Sequence, residues 1–172
     1  ILFNTVGTDY ASESLGYHLE VFPNGYFSYY NYRKDNGEIS LFNQDAREIA
    51  VAAYGSIKLI NNHFLIKDND SGKYSLIDLE GNTLISQYDY IEPRYKGEYF
   101  ICSDENGYDL YRQDGTLLFD DAEYIDSLGC EMFEYVKEDE SFILNGQDGT
   151  SFQLSPYESI ESFYTDGFAI KL

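Results

Sequence analysis

Short apolar runs of three to seven residues, broken by Gly, Asp and Asn, fill this chain from end to end. Leu41-Phe42, Leu76-Ile77, Leu110-Tyr111 and Ile143-Leu144 each precede a turn-forming cluster, and Ile49, Leu84-Ile85, Leu117-Leu118 and Phe152 follow it. The clusters are Asp45-Ala46-Arg47, Glu80-Gly81-Asn82, Asp114-Gly115-Thr116 and Asp148-Gly149-Thr150, spaced by 35, 34 and 34 residues. An acidic residue plus Gly between two strand-like runs predicts a tight hairpin, because Gly accepts the positive φ such turns require. Gly81, Gly115 and Gly149 are therefore expected at equivalent turns, and Ala46 is expected to mark the copy whose turn differs.

A second landmark keeps the same period. Ile57, Ile91, Ile125 and Ile160 stand 34, 34 and 35 residues apart, and are expected to be buried at equivalent sites. Tyr54, Tyr88 and Tyr157 precede three of them by three positions, with Ala122 in the remaining slot. Gly25, Gly97 and Gly167 each open a further strand-like run. Ile1-Leu2-Phe3-Asn4 resembles Ser40-Leu41-Phe42-Asn43, which places the chain start at the head of a repeat. Five units result, at about 1–39, 40–74, 75–108, 109–142 and 143–172, forming a single repeat domain. The runs show no helical periodicity of useful length. The fold class is all-β: five tandem repeats of about 34–39 residues whose neighbours stack to share a core, since one unit cannot bury its apolar face alone. Two arrangements fit: a propeller-like ring of short antiparallel blades, or an open solenoid-like stack. Whole repeats at both ends leave no blade to be shared between the termini, whereas an open stack would expose its apolar end faces. Contact between Ile1–Asn4 and Gly167–Leu172 distinguishes the ring.

Composition adds the strand bias and removes several partners. Aromatics make up 17% of the chain, as 18 Tyr and 12 Phe with no Trp, too much apolar surface for a disordered acidic tail. The formal charge of −20 repels phosphate backbones and anionic membranes alike, so no nucleic-acid partner is expected. No stretch approaches the roughly 18 consecutive apolar residues of a spanning helix, so no membrane insertion is expected either. The chain opens at Ile1 without an initiator Met, which reads as a processed or excised piece of something longer, with any leader or anchor out of view.

Few residues offer chemistry. Tyr26-Phe27-Ser28-Tyr29-Tyr30-Asn31-Tyr32, taken as a strand, puts Tyr26, Tyr30 and Tyr32 on one face and Phe27 and Tyr29 on the other. One face joins the repeat core. The other is then a candidate platform for a sugar ring or a protein partner, unless neighbouring repeats cover both. Asp68-Asn69-Asp70-Ser71-Gly72 begins like a calcium loop, but the Gly falls early and the bidentate Glu is missing, so an inter-repeat turn is expected and no metal. His18 and His63 have no triad or metal spacing and read as surface or rim residues. Cys102 and Cys130, 28 residues apart, read as two half-buried thiols. With 31 carboxylates some pairs must sit at glycosidase distance, so acidity alone carries no argument for hydrolysis. Phosphate loops and nucleophile elbows are absent, and no cofactor is implied.

Tyr74-Ser75-Leu76-Ile77-Asp78, Glu80-Gly81, Tyr88-Asp89-Tyr90-Ile91 and Gly97 together resemble the unit of the bacterial WG-repeat proteins, which runs aromatic, Gly, Leu-Ile-Asp, a turn with Gly, Tyr-Asp-x-Ile, then Gly and a strand. The resemblance covers nearly the whole chain. It departs at the Trp-Gly that names the family, where Ile39, Tyr74, Tyr108 and Phe142 fill the Trp slot. It implies a β-repeat scaffold in a bacterium and supplies no reaction. The expectation is a non-catalytic module presenting a protein- or glycan-binding surface, as a segment of a larger bacterial protein. The alternatives are an acidic mimic or immunity-type inhibitor masking a basic partner, and a carbohydrate-active enzyme. Acids crowded on one face would favour the mimic, and acids scattered among turns the scaffold.

Overall fold

The computed structural model describes residues 17–31, 37–53, 56–68, 70–154, 159–163 and 167–171. Apart from a single 3-10 turn at Tyr95–Gly97, the regular elements among them are all strands. The first sheet holds β1 (Tyr17–Val21), β2 (Phe27–Asn31), β3 (Glu38–Phe42) and β4 (Glu48–Ala53). The second holds β5 (Ser56–Ile60), β6 (His63–Lys67), β7 (Tyr74–Ile77) and β8 (Thr83–Tyr88). The third holds β9 (Tyr90–Arg94), β10 (Tyr99–Asp104), β11 (Gly107–Arg112) and β12 (Leu117–Ala122). In the fourth are β13 (Tyr124–Gly129), β14 (Met132–Lys137), β15 (Glu140–Asn145) and β16 (Ser151–Gln153). β17 (Ser159–Phe163) and β18 (Gly167–Lys171) pair as a two-stranded sheet. Each sheet is an antiparallel up-and-down meander in which chain neighbours are sheet neighbours.

Sheet starts at Tyr17, Ser56, Tyr90, Tyr124 and Ser159 keep the sequence period but not the phase of the units drawn from it. Ser40, Ser75, Asp109 and Ile143, where those units begin, lie inside third strands, so a unit drawn on the Asp-Gly turn begins midway through a sheet. Ile57, Ile91 and Ile125 occupy one position in β5, β9 and β13, and all three are buried. Ile160 takes the same place in β17, but its side chain lies outside the described residues.

The turns between third and fourth strands repeat one geometry. Asn43 N–H bonds the Arg47 carbonyl, Asp78 N–H that of Asn82 and Arg112 N–H that of Thr116, each at 2.9–3.0 Å. Gly81, Gly115 and Gly149 take φ of +91, +83 and +76. Ala46, expected to mark a different turn, instead adopts φ +59 and the same closing bond. The departing turn is the last, where Asn145 N–H reaches Thr150 and one more residue is enclosed. Asn43, Asp78 and Asn145 accept turn amides on their own side-chain oxygens, a local competition that fixes where the strand stops. Arg112 holds the same slot and instead donates from Nε and Nη2 to the Gly146 carbonyl at 3.1 and 2.8 Å, tying the third sheet to the last turn of the fourth.

The chain divides into two compact units, Ile1–Gln87 and Tyr88–Leu172. In the first, Ile39, Leu41 and Ala52 of the first sheet pack on Ile57, Phe64, Ile66 and Ile77 of the second. Alternation does this: Ile39 and Leu41 are buried on β3 while their strand neighbours are half-exposed. In the second unit Tyr99, Ile101, Leu110 and Ala122 of the third sheet pack on Ile125, Phe133, Tyr135 and Leu144 of the fourth. The fourth sheet's opposite face carries a smaller cluster of Leu128, Ile143 and Leu154. Phe64, Phe100 and Phe133 stand at one register position of successive sheets and are all fully buried.

Candidate binding surface

The tyrosine run divides between core and exterior. Ser28 is buried, and Tyr26 and Tyr30 pack against the first unit's core, with Tyr26 5.4 Å from the Phe64 ring. Their face of β2 is the one turned to the second sheet. On the other face Phe27 stacks on Phe42 at 5.0 Å and Tyr29 is half-buried. Tyr32 lies outside the described residues. Val21 and Val51, on that same outer face, are 50% and 49% exposed.

The most exposed rings of the second unit are elsewhere. Tyr90 and Tyr108 are 51% and 39% exposed, and both face Ser103 from either side across β10, so they share a sheet face. Tyr124, 47% exposed, opens β13 one repeat after Tyr90. All three lie towards the end of the strands where β10 turns into β11. The signal was present in the sequence as Tyr at 90 and 124, but Ser56 and Ser159 hold the equivalent places, so it is a feature of two sheets and not of the repeat.

Several polar groups serve structure. Tyr88 OH donates to Asp109 Oδ2 and lies 2.8 Å from Tyr111 OH, while Asp109 Oδ1 accepts the Asp121 amide at 2.9 Å. Burial first, then the bond to Asp109, hold the Tyr88 phenol well above the ordinary tyrosine range. Burial likewise pushes up the Cys102 thiol, with the Asp109 charge adding to it. Tyr95 OH accepts the Gly129 amide at 2.9 Å, and Tyr99 OH donates to Glu131 Oε2 at 2.6 Å, so both phenols are tied to the β13–β14 turn. Asp68 Oδ1 accepts the Asp70 amide at 2.8 Å, and Asp68 N–H bonds the Lys73 carbonyl. That carboxylate is engaged by its own turn, and Asn69 lies outside the described residues. Among the described residues no three His, Cys, Asp or Glu side chains converge as a metal site.

Two expectations about single residues need correction. His63 is buried on β6, opposite Ile60, and not a surface or rim residue: the strand's alternation turns it inward in a position the sequence reads as part of a turn. The cysteines are not both half-buried; Cys102 sits fully inside β10 and Cys130 is exposed in the β13–β14 turn. The side chain of His18 lies outside the described residues.

Acids populate both ends of the sheets. Asp45, Asp78, Glu80, Asp114 and Asp148 lie at or beside turns between third and fourth strands. Asp68, Asp70, Asp104, Glu105, Glu138 and Asp139 lie at turns between second and third strands, the opposite end of the meander. Among the described residues, no helix is long and apolar enough to cross a membrane.

No protein-family model matches this chain, and no curated protein does. Among solved structures the chain is similar to KlHsv2 with loop 6CD replaced by a Gly-Ser linker, with a TM-score of 0.34 and 11% identity over 88% of this chain and 74% of that one.

Proposed function

We propose that this chain is a non-catalytic β-repeat binding module, a divergent relative of the bacterial WG-repeat proteins, whose five units form a propeller-like arrangement. Four meanders of the same strand order, starting at near-constant intervals, support the repeat reading. The module presents rigid tyrosine rings to a protein or glycan partner. One observation carries the reading: Tyr90, Tyr108 and Tyr124 stand exposed on sheets whose interiors are packed, while the acids are divided between both ends of the strands. Rings fixed on strands offer contact area at small entropic cost, and Tyr joins an apolar body to a polar tip.

Titration with a panel of neutral oligosaccharides, and separately with a cationic protein such as lysozyme, tests this by isothermal titration calorimetry. Saturable binding that is lost in Tyr90→Ala/Tyr108→Ala/Tyr124→Ala and persists in moderate salt is the expected result. Binding to the cationic protein alone, unaffected by those changes and abolished by salt, would replace the module with an acidic mimic. The run Asp120, Asp121, Glu123 and Asp126, with Glu138 to Glu140 on the adjoining hairpin, is what that second reading rests on.

A further inference from the structure

Directly opposed residues on adjacent strands form a row across a sheet, with their side chains on one face. In the third sheet one such row is Tyr90, Ser103 and Tyr108, at the end where β10 turns into β11. In the second sheet Ile57 pairs with Ile66 as Ile91 pairs with Cys102, so the corresponding row is Ser56, Lys67 and Tyr74. There the chain supplies a cation of its own. Lys67 Nζ lies over the Tyr74 ring, 5.3 Å from its centre, within the reach of a cation–π contact, and Tyr74 is half-buried. In the third sheet Ser103 stands in the lysine's place. The ring equivalent to Tyr74, Tyr108, is 39% exposed, and a second ring, Tyr90, stands 51% exposed on the other side of Ser103.

Spacing and charge agree on what fits there. Strands lie about 4.8 Å apart, so the two tyrosine positions are separated by roughly 10 Å with Ser103 between them. An ammonium above Ser103 can then reach both rings within the roughly 6 Å limit of the contact, and the short Ser103 hydroxyl can accept a hydrogen bond from it. Acids crowd this end of the sheet. Asp89 precedes Tyr90, Asp104 and Glu105 follow Ser103, and Asp121 and Glu123 flank Ala122, which pairs with Tyr108. Asp89 N–H bonds the Ser103 carbonyl at 2.9 Å, which fixes the first of these acids to the row. The third sheet's own cations, Arg94, Lys96 and Arg112, all lie at its other end. A neutral sugar gains nothing from such a field, whereas a cation is concentrated by it.

We infer that Tyr90 and Tyr108 take between them, above Ser103, the ammonium of a lysine on a basic segment of a partner protein, as Lys67 occupies Tyr74 within the chain. The inference rests on the binding-module reading and narrows its partner from a protein or glycan to a lysine-bearing protein. The rings supply the contact, and the surrounding carboxylates supply long-range attraction. Tyr124 is in a row with Val136 and Ser141 on the fourth sheet and stands outside this receptor.

A peptide of alternating Gly and Lys is the probe, titrated calorimetrically at about 0.15 M salt beside the same peptide with every lysine acetylated. Binding of the first and not of the second is expected, since acetylation removes the charge and keeps the side chain's stem. Ser103→Lys puts a lysine where the second sheet has one, and is expected to weaken the peptide at least about fivefold by occupying Tyr108 from within. Glu98→Gln makes the same change in net charge beside the far end of β10 and is expected to leave binding unchanged. Tyr108→Leu should also lose at least about fivefold, and Tyr108→Phe, which keeps the ring face, no more than about twofold. Circular dichroism confirms that each variant is folded; should Ser103→Lys unfold the sheet, the two Tyr108 variants decide alone. Equal effects of Ser103→Lys and Glu98→Gln, or equal losses in the two Tyr108 variants, overturn the inference in favour of charge alone. Failure of the lysine peptide to bind overturns it as well. Tyrosine-dependent binding of sugars or of lysozyme in the titrations above would then leave the module standing, and none would remove both readings.

Discussion

Gly81 and Gly149 hold the left-handed position of corresponding turns, the second one residue longer, under different constraints. At Gly81 an added Cβ would lie 2.6 Å from the Ile49 carbonyl oxygen, while at Gly149 the nearest atom is Leu118 Cδ2 at 3.9 Å. Both would force a side chain into positive φ, but Gly81 alone adds a backbone collision. Gly149→Ala is expected to cost about 1 kcal/mol and Gly81→Ala at least about 2 kcal/mol, read as the shift of a urea midpoint at unchanged slope. Equal losses would show that the close approach is relieved without strain. Ala46 already sustains φ +59, so Ala46→Gly is expected to stabilise by up to about 1 kcal/mol. In the core, Ile91→Ala removes a side chain that is 2% exposed and is expected to cost roughly 2–5 kcal/mol. Glu134 gives a pH signature. It faces Asp126 across β13 and β14, and burial, then that charge, raise its carboxyl above the ordinary value. A raised acid favours the folded state when protonated, so its contribution is greatest in acid and is lost as pH climbs through the interval just above the ordinary Glu value. Glu134→Gln is therefore expected to raise the melting temperature at pH 7 and to leave it nearly unchanged at pH 4. A rise of equal size at both would assign the gain to something other than charge.

Within a sheet, the third-to-fourth-strand turn was the most legible element, because Asp-Gly-Thr specifies a left-handed residue directly. The passage from one sheet to the next was not. One residue, Asp89 or Glu123, separates β8 from β9 and β12 from β13, and a single polar residue between strand-like runs gives no turn signal. Units drawn on the strong turn are therefore displaced by half a sheet. The tyrosine run was legible as a strand with a core face, since alternation alone places Tyr26 and Tyr30 together; the exposed Tyr90, Tyr108 and Tyr124 were not, because exposure depends on which face the neighbouring sheet covers. Also invisible was the irregularity that ends β12. Asp121 adopts φ +55, one repeat after Gln87 at +73, and the β11–β12 register shifts beside it. Asp109 holds this by accepting the Asp121 amide while also accepting the Tyr88 hydroxyl. Asp109→Ala removes the acceptor of both bonds and is expected to destabilise by about 2 kcal/mol, whereas Tyr88→Phe, which keeps the ring and the Asp121 bond, should cost about 1 kcal/mol. Matching losses would mean that the left-handed residue does not depend on Asp109.

At the scale of the whole chain, charge dominates. Eleven basic residues face 31 acidic ones, so most carboxylates have no cation to meet. Some answer to amides instead: Asp78 and Asp114 are held below the ordinary carboxylate range, Asp78 by Asn82 and neighbouring turn amides against the opposing effect of burial, Asp114 chiefly by the Thr116 N–H. These bonds neutralise nothing, and they fix negative charge at turns on the folded surface. Folding gathers the acids of the extended chain into a smaller volume, and the resulting self-repulsion destabilises the compact state. Counterions screen that repulsion over a Debye length of roughly 10 Å at 0.1 M salt, comparable with the spacing between neighbouring sheets. The melting temperature is therefore expected to rise between about 0.01 M and 0.15 M sodium chloride, and by more than it changes on raising the pH from 7 to 9, where few groups titrate. A melting temperature that is flat or falls with salt would mean that attractive pairs, such as Lys137 with Asp120 at 3.4 Å, outweigh the excess of like charge. Exposed pairs of that kind are worth only about 0–1 kcal/mol each, and eleven cations cannot offset 31 carboxylates, so the balance falls to repulsion and the salt response should be positive.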